Sequence, residues 1–467
     1  MVKRITILSI ALISVLLCVF CISKANNITL MVKMSPWGEE EFETQETAIN
    51  KFISEFNKKN PEIKVNVNYV KEYPADLKES EIVLLGADEM LEYAHDDLLV
   101  LSDCVSVEGF SGKVLDIGKL SIESSKEDLV FVPFNYDRAV VYVDKGLFDL
   151  LEVELPAASW TYEDFVEVIS KVTKRGCKYD GYTNSVGIHL PLARPYVWRY
   201  FYENLGDGWY NADRNYVTFN TEKNIEVIEE LLGFYNRYAK CYSMTDANTG
   251  IYHSITAMTW VNACQPDYDD FRIISDKLSY SLLGRRIYSV AEKGNLILLP
   301  LPSVNGKNMS YSNTEFIKGF AVSKYINKNK LDAAIKLIEF SQTITGNRTL
   351  HEYYGGIPAC EKLWTESYWK TGLLSGINAE NVLVGIENDK RNDYVEILSG
   401  DEAVYEKNIR FRAICSNLML EEIKRSSKSI EAVKNIMDTM TRFFNSTINI
   451  YGVPNGYNPN LIARGNK

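Results

Sequence analysis

Short apolar runs alternate with amphipathic stretches in the first hundred residues. Residues 28–34 and 82–85 are apolar runs of strand length, and residues 64–70 alternate between apolar and polar positions, as in a half-buried strand. Between residues 28–34 and residues 64–70, apolar residues recur at helical spacing over residues 48–56. A strand, a helix and two further strands in this order predict an open α/β sheet.

The later part of the chain repeats this alternation. Amphipathic patterns predict helices at 160–173, 224–238 and 331–340, and apolar runs predict strands at 257–260, 296–301 and 319–323. No internal repeat and no low-complexity linker separates the two sets of elements. The pattern therefore predicts two α/β lobes joined by ordinary backbone rather than by a flexible tether.

The segment FVPFNYDRAVVYVDKGLF, residues 131–148, combines two kinds of strand. Residues 139–143 are a continuous apolar run, typical of a buried strand, whereas the residues before them mix aromatic side chains with a proline, an asparagine and an Asp-Arg pair. Such a division is expected where the chain leaves one lobe and enters the sheet of another. We therefore predict that the backbone crosses between lobes near residue 137.

The ordered segments resemble a known family, the extracellular solute-binding proteins of ABC importers, in particular the maltodextrin-binding-like group that carries sugars and oligosaccharides. The segment 131–148 resembles the family's hinge-crossing strand. Other segments similar to family segments are EIVLLGADEMLEYAHDDLLVLSD, SWTYEDFVEVISKV, TAMTW, LLPLP and YYGGIPACEKLW. The chain departs from the family in having only residues 71–80 between its second and third strands, and in continuing Val261-Asn262-Ala263-Cys264 after AMTW.

The resemblance implies a fold class and a division into domains. The fold class is α/β, a two-lobed periplasmic-binding-protein-like fold (type II), with an α/β sheet in each lobe and hinge-crossing strands between them. Lobe 1 is expected to comprise residues 26–136 plus about 300–342, and lobe 2 residues 137–299 plus about 343–467.

The amino terminus has the pattern of an export signal. Lys3 and Arg4 precede an uncharged, mostly apolar stretch, residues 5–22, and Ser23-Lys24-Ala25 supplies the small residues that a signal peptidase reads. Residues 1–25 are therefore predicted to be a signal peptide or a retained N-terminal anchor, and lipid attachment at Cys18 or Cys21 is a third possibility. Each of these places the folded part outside the cytoplasm.

Composition narrows the function classes. The 467 residues carry a formal net charge of −11, so a nucleic acid or another polyanion is not expected as a partner. The chain contains 7 Trp, 29 Tyr and 19 Phe, enough to supply aromatic surfaces beyond a core. The six cysteines after Cys21 and the four histidines show no metal-type spacing, so no metal and no cofactor are expected.

Sugar binding requires aromatic faces for the apolar side of a ring and carboxylates or amides for its hydroxyls. In lobe 1, Trp37 and Asp88 follow predicted strands, where ligands bind in open α/β sheets. Asn135, Tyr136 and Asp137 lie on the predicted crossing, and the resemblance implies a cleft role for Asp88 and Asp137. The same residues could instead serve as a lid on a helix, a helix cap or a hinge.

In lobe 2 the candidates are aromatic. Tyr196 and Trp198 open a predicted helix, and Trp260 ends a predicted strand. Tyr354, before Gly355-Gly356, is a further candidate. Aromatic residues at such positions form a core more often than a ligand surface, and both interpretations stay open at this point.

The resemblance implies a single-chain extracytoplasmic receptor that binds a small polar solute, a mono- or oligosaccharide, between its lobes and delivers it to an ABC permease in the membrane. A secreted glycosidase with paired carboxylates is an alternative, although no nucleophile elbow, zinc helix or phosphate-binding loop is present. A ligand-binding sensor for a membrane kinase is another.

Overall fold

The computed structural model describes residues 27–36, 38–93, 97–120, 128–179, 182–189, 195–208, 219–234, 254–262, 293–307, 310–312, 316–370 and 376–391, together with 237–238, 374, 431, 434–435, 437–438 and 441–442.

The described strands, in chain order, are β1 (Asn27–Lys33), β2 (Lys64–Val70), β3 (Ile82–Gly86), β4 (Lys119–Leu120), β5 (Asp128–Leu129), β6 (Val132–Pro133), β7 (Asn135–Tyr136), β8 (Ala139–Asp144), β9 (Lys174–Tyr179), β10 (Tyr182–His189), β11 (Ser254–Asn262), β12 (Leu296–Leu299), β13 (Tyr311–Ser312), β14 (Lys318–Val322), β15 (Ile357–Pro358) and β16 (Lys390–Arg391).

The described α-helices are α1 (Glu39–Lys59), α2 (Met90–Tyr93), α3 (Gly112–Asp116), α4 (Lys145–Leu151), α5 (Tyr162–Val172), α6 (Pro195–Leu205), α7 (Glu222–Phe234), α8 (Lys328–Ser341) and α9 (Ile344–Tyr354). Short 3₁₀ turns follow at Glu361–Leu363, Ala379–Leu383 and Ile386–Asn388. Within these described segments, no helix is both long and apolar enough to cross a membrane.

The chain divides into two compact units. Unit 1 comprises Met1–Tyr136 and Ile317–Glu366, and unit 2 comprises Asp137–Phe316 and Ser367–Lys467. Two of these boundaries differ from the predicted values of about 300 and 342. The chain stays in unit 2 beyond residue 300 because Ser303 exchanges backbone hydrogen bonds with Trp160 and Tyr162 and the Ser310 hydroxyl donates to the Ala139 carbonyl. It stays in unit 1 beyond residue 342 because Ile357 pairs with Tyr136.

Unit 1 is built on a five-stranded sheet in the order β2-β1-β3-β14-β6. β1 is parallel to both β2 and β3, and β14 is antiparallel to β3 and β6. Helix α1 buries the apolar stripe that its sequence pattern predicts. The Phe52 ring lies 5.8 Å from Phe320 of β14 and 5.4 Å from Phe340 of α8, and full burial of one such ring contributes roughly 1.5–3 kcal/mol.

Unit 2 has its own five-stranded sheet, in the order β12-β8-β11-β10-β9. β10 and β11 are parallel, whereas β8 is antiparallel to β11 and β12, so the sheet is mixed. The continuous apolar run predicted at 139–143 is buried throughout as β8. Helix α5 begins with a reciprocal capping box between Thr161 and Asp164, which explains why the helix begins where its sequence pattern predicts.

Candidate functional site

The sheet of unit 1 changes direction of winding at β1. β2 and β3 lie on opposite sides of β1 and run parallel to it, so successive connections lead first to one side and then back across β1 to the other. In open α/β sheets, ligands bind outside the carboxyl ends of the strands at such a switch point. The carboxyl ends of β1 and β3, at Lys33 and Gly86, therefore mark the edge of the sheet where the candidate site lies.

A tyrosine hydroxyl lies between these two strand ends. Pairing of β1 with β3 ends at Val32 and Leu84; beyond it, the Lys33 N–H donates to the Tyr73 hydroxyl over 3.2 Å, and that hydroxyl donates to the Leu84 carbonyl. Burial raises the pKa of Tyr73 well above its usual range, so the phenol is neutral and can donate. Tyr73 thus replaces a strand-to-strand contact and holds the carboxyl ends of β1 and β3 apart.

The short connection between β2 and β3 carries this tyrosine. Its fold is fixed by the Tyr93 hydroxyl, which donates to the Pro74 carbonyl over 2.9 Å, and by the Tyr73 and Tyr93 rings, which meet edge to face at 6.3 Å. Residues 71–80 contain no helix, and the start of this connection, which carries Glu72 and Tyr73, therefore lies at the carboxyl edge of the sheet.

Lys33 is the centre of a charged array at this edge. Its Nζ lies 2.8 Å from a Glu72 oxygen and 3.5 Å from a Glu89 oxygen. Burial lowers the pKa of Lys33, but the hydrogen bonds and charges of Glu72 and Glu89 outweigh that effect and raise the pKa above its ordinary value. The side chains of Lys33, Glu72 and Glu89 are 30%, 81% and 19% exposed, so the array reaches solvent mainly through Glu72.

Gly86 allows further charged groups to approach the end of β3. A Cβ atom on Gly86 would lie 2.6 Å from Asp88 Oδ1, 2.9 Å from Lys318 Nζ and 3.1 Å from Glu89 Oε2. Glu89 also accepts a hydrogen bond of 2.8 Å from the Gly86 N–H. The predicted site residue Asp88 is half-buried in this group, and only glycine leaves room for the three side chains.

Gln45 connects the edge to the predicted residue Tyr354. Its amide nitrogen donates to the Lys33 carbonyl over 3.0 Å and to the Tyr354 hydroxyl over 3.2 Å, and its oxygen accepts the Ser35 N–H over 2.8 Å. The Tyr354 ring packs against Phe134 at 5.4 Å. Burial raises the pKa of Tyr354, so this phenol is also neutral. Tyr354 is thus linked through Gln45 to Lys33, and Asp88 lies at the same edge, next to Gly86.

Asn135 and Tyr136 lie in β7, and both side chains are buried. The Asn135 amide donates to the Gly355 carbonyl over 3.1 Å, and its oxygen accepts the Lys318 N–H over 2.7 Å. These contacts tie the start of β14 to the turn after α9. Asp137, the first residue of unit 2, is 0% exposed. A direct role in binding for these three residues stays a prediction.

The remaining predicted residues are aromatic. Trp37 lies outside the described residues. Tyr196 and Trp198 lie in α6, and Trp260 lies in β11 opposite Val141 of β8; the placement of these three side chains lies outside what the structure describes. Their roles in binding stay predictions.

The edge also contains residues that the sequence analysis did not single out: Lys33, Gln45, Glu72, Tyr73 and Glu89. The position of Lys33 at the end of the first strand was a usable signal, as was the shortened connection that carries Glu72 and Tyr73. Gln45 gave no signal, because it lies inside a helix and reaches the edge only through packing. Among the described residues, no group of three or more His, Cys, Asp or Glu side chains is arranged to hold a metal ion.

Comparison with known proteins gives a family and a fold. Residues 42–250 match the family described as bacterial extracellular solute-binding protein. No curated protein sequence matches the chain. Similar solved structures include the sugar-binding protein MalE from Xanthomonas citri, with a TM-score of 0.59, 17% identity, and 90% of this chain and 98% of that chain covered.

Two further structures have the same similarity at low identity. An ABC substrate-binding protein from Listeria monocytogenes in complex with cycloalternan has a TM-score of 0.56 and 15% identity, with coverage of 89% of this chain and 98% of that chain. UgpB from Mycobacterium tuberculosis in complex with glycerophosphocholine has a TM-score of 0.58 and 14% identity, with coverage of 91% and 99%. At such identities the likeness establishes the fold, which is the two-lobed α/β fold of type II periplasmic binding proteins.

Family and fold have a direct consequence for the class of activity. The family consists of substrate-binding proteins, so the secreted glycosidase considered from the sequence is set aside. The matched segment is similar to the bacterial extracellular solute-binding proteins, and the chain has the fold of type II periplasmic binding proteins.

Proposed function

We propose that the chain binds a small hydroxyl-bearing solute, a mono- or oligosaccharide, and delivers it to a membrane permease. The observation that carries this proposal is the polar carboxyl edge of unit 1, at the switch point of a sheet in a chain that is similar to a solute-binding family. The solute contacts we assign to this edge are those of Asp88, Glu72 and Glu89, with Lys33 between the last two.

The chemistry of the edge suits a sugar. Carboxylate oxygens accept hydrogen bonds from hydroxyl groups, and such charge-assisted bonds contribute roughly 1.5–3 kcal/mol each. The Glu72 carboxylate is 81% exposed and can reorient toward a solute at little cost. The neutral phenols of Tyr73 and Tyr354 are occupied by protein partners, so they shape the edge rather than contact the solute.

The solved relatives support the same solute class. The Xanthomonas protein is a sugar-binding protein, the Listeria protein was solved with cycloalternan, and the Mycobacterium protein was solved with glycerophosphocholine. Both named ligands carry free hydroxyl groups. A hydroxyl-bearing solute is therefore the property that we carry over to this chain, and a saccharide is its most frequent form among these relatives.

Similarity to an extracellular family supports export of the protein. We propose that residues 1–25 serve as its signal peptide or anchor, that the receptor acts as a monomer, and that the partner is the permease of an ABC importer. Coupling to a permease predicts that import of the bound solute is lost in cells that lack the receptor.

Titration calorimetry against neutral mono- and oligosaccharides tests the binding proposal. We expect at least one sugar to bind, and Asp88→Asn, Trp37→Ala and Trp260→Ala to weaken its binding. Asp76→Asn is the matched control, because Asp76 is an exposed carboxylate that pairs with Lys78 away from the edge. Absence of binding to every sugar would contradict the proposal, and unchanged affinity in all three site variants would remove the proposed residues.

A further inference from the structure

Lys33, at the carboxyl edge of unit 1, already has two anionic partners. Lys33 Nζ lies between Glu72 at 2.8 Å and Glu89 at 3.5 Å. Lys318 Nζ lies in front of Gly86, in the same space as Asp88 Oδ1 and Glu89 Oε2. Among the described residues, the carboxylates of Glu72, Asp88 and Glu89 and the ammonium groups of Lys33 and Lys318 thus lie at this edge, and their net charge is negative.

The two cations are also held in place by the backbone. Tyr73 accepts the Lys33 N–H, and Asn135 accepts the Lys318 N–H over 2.7 Å. The Gly86 N–H donates to Glu89 over 2.8 Å and fixes this carboxylate next to Lys33. An anion that approaches Lys33 therefore meets the negative charges of Glu72 and Glu89, and the repulsion between like charges opposes its binding.

We infer that this edge selects solutes by charge, accepting neutral or cationic hydroxyl-bearing solutes such as neutral and amino sugars and rejecting anionic ones such as uronates and sugar phosphates. The inference rests on the proposed function, because it assumes that the solute contacts this edge. The selectivity is due to Glu72 and Glu89, which neutralise the charge of Lys33 before a solute binds.

The physical reason is the difference between a hydroxyl and a carboxylate as a ligand. A sugar hydroxyl donates to Glu72 without disturbing its ion pair with Lys33, since a carboxylate oxygen accepts more than one hydrogen bond. An amino sugar adds a favourable charge. The carboxylate of a uronate or a phosphate group only accepts hydrogen bonds, and the Lys33 ammonium group that could donate to it already lies against Glu72 and Glu89.

Tyr73 is a positioning residue in this account. Its hydroxyl fixes the Lys33 backbone at the end of β1, and the Lys33 Nζ lies 5.9 Å from the centre of the Tyr73 ring. Both contacts hold the Lys33 ammonium group next to Glu72 of the 71–80 connection. The shortened connection is thus the element that brings the second carboxylate to Lys33.

The test compares matched sugars on the full-length exported protein by calorimetry. The sets are glucose with glucosamine and glucuronate, galactose with galactosamine and galacturonate, and maltose with maltose 6′-phosphate. For the set that binds, we expect the anionic member to bind at least about tenfold more weakly than its neutral counterpart, and the amino sugar at least as tightly. In Glu72→Gln, we expect the neutral-to-anionic ratio to fall by at least about threefold, because Lys33 loses one partner.

The controls separate selectivity from folding. Asp76→Asn removes a carboxylate from the same connection and should leave the ratio unchanged, because Asp76 pairs with Lys78. Glu72 is exposed, so its substitution should not unfold the protein. An anionic sugar that binds the wild type as tightly as its neutral counterpart would overturn the inference and leave the saccharide function standing. If no neutral, amino or anionic sugar binds, the saccharide function itself is wrong, and the inference falls with it.

Discussion

The two units each contain a prominent ion pair, and the two pairs differ in burial. In unit 1, Lys33 and Glu72 are 30% and 81% exposed, whereas in unit 2 Arg138 and Asp389 are each 1% exposed. Arg138 donates to the Val382 and Val384 carbonyls over 2.6 and 2.9 Å and to Asp389 over 2.6 Å. The same type of interaction is thus placed in two different environments.

The comparison shows how burial decides what an ion pair does. A buried pair requires every partner, because a charge left alone in a low-dielectric interior costs several kcal/mol. The Ser310 N–H, which donates to Asp389 over 2.9 Å, belongs to the partners that satisfy this pair. An exposed pair contributes little to stability and can exchange its partners with a solute. We therefore assign the pair of unit 2 to folding and the array of unit 1 to binding.

The largest expected effect is that of breaking the buried pair. Arg138→Met would leave Asp389 buried without its cation and would remove the hydrogen bonds that the Val382 and Val384 carbonyls accept from Arg138. We therefore expect unit 2 to lose about 3–5 kcal/mol of stability. Urea unfolding would measure this loss. Lys145→Met is the matched control, because it removes the exposed pair with Asp149 and should cost less than about 0.5 kcal/mol. Equal effects of the two substitutions would remove the distinction drawn between the pairs.

A half-buried histidine in unit 1, His351, tests whether burial itself, rather than the unit, decides how a charge affects stability. Burial lowers the pKa of His351 from its ordinary 6.5 to about 4. The unfolded chain therefore binds a proton between pH 6.5 and 4 that the folded chain does not, and stability should fall as the pH falls through this range, with nothing lost above it. Because His351 is partly exposed, we expect a loss of about 2 kcal/mol.

Urea unfolding of the wild type and of His351→Gln at a series of pH values would measure this contribution. The difference between the two proteins should change between pH 6.5 and 4 and stay constant between pH 7 and 8, because both forms of the histidine are then neutral. A constant difference across the whole range would show that burial does not shift this group.

The removal of the Tyr73 hydroxyl sharpens the description of the exposed array. Tyr73→Phe leaves the Lys33 N–H and the Leu84 carbonyl without their partner, and we expect a loss of about 1–2 kcal/mol in stability. Solute affinity should fall as well, because Lys33 is no longer fixed. Tyr325→Phe is the control, because it removes a tyrosine hydroxyl that bonds to Asp97 and should leave solute affinity unchanged. Reduced stability with unchanged affinity would make Tyr73 purely structural.

The smallest expected effect on stability is that of Glu72→Gln. The pair is exposed and screened by solvent, so we expect a change of less than about 0.5 kcal/mol in the free energy of unfolding. The same substitution should still change the neutral-to-anionic preference for solutes. A loss of stability comparable to that of Arg138→Met would show that the array belongs to folding and not to binding.

Much of the fold was predictable because local patterns and global structure agree. The first three strands begin and end within a residue or two of the predicted runs, and α5 lies within the helix predicted at 160–173. The return boundary at residue 317 was not predictable, because Leu296–Leu299 and Lys318–Val322 are both short apolar runs. Which sheet each run joins depends on distant partners.

The candidate site was predictable only in part. Asp88 and Tyr354 were singled out from their positions after a strand and before a glycine pair. The structure places Asp88 next to Gly86 and links Tyr354 through Gln45 to Lys33, which lies 3.5 Å from Glu89. The three connecting residues have no sequence pattern that relates them, because each comes from a different element. Only the parallel order of β1 and β3 brings them to one edge.

The sequence by itself determined the elements, the acidic balance, the order of segments that marks the family, and the short connection between β2 and β3. These depend on residue periodicity and composition, which are local properties of the chain. The tertiary structure alone decided that this connection places Tyr73 between two strand ends, that Lys33 is shared by Glu72 and Glu89, and that Arg138 is sealed while Lys33 is not. The burial of a charged side chain and its partners are set by residues far apart in sequence. They decide whether an ion pair stabilises the fold or is available to a solute.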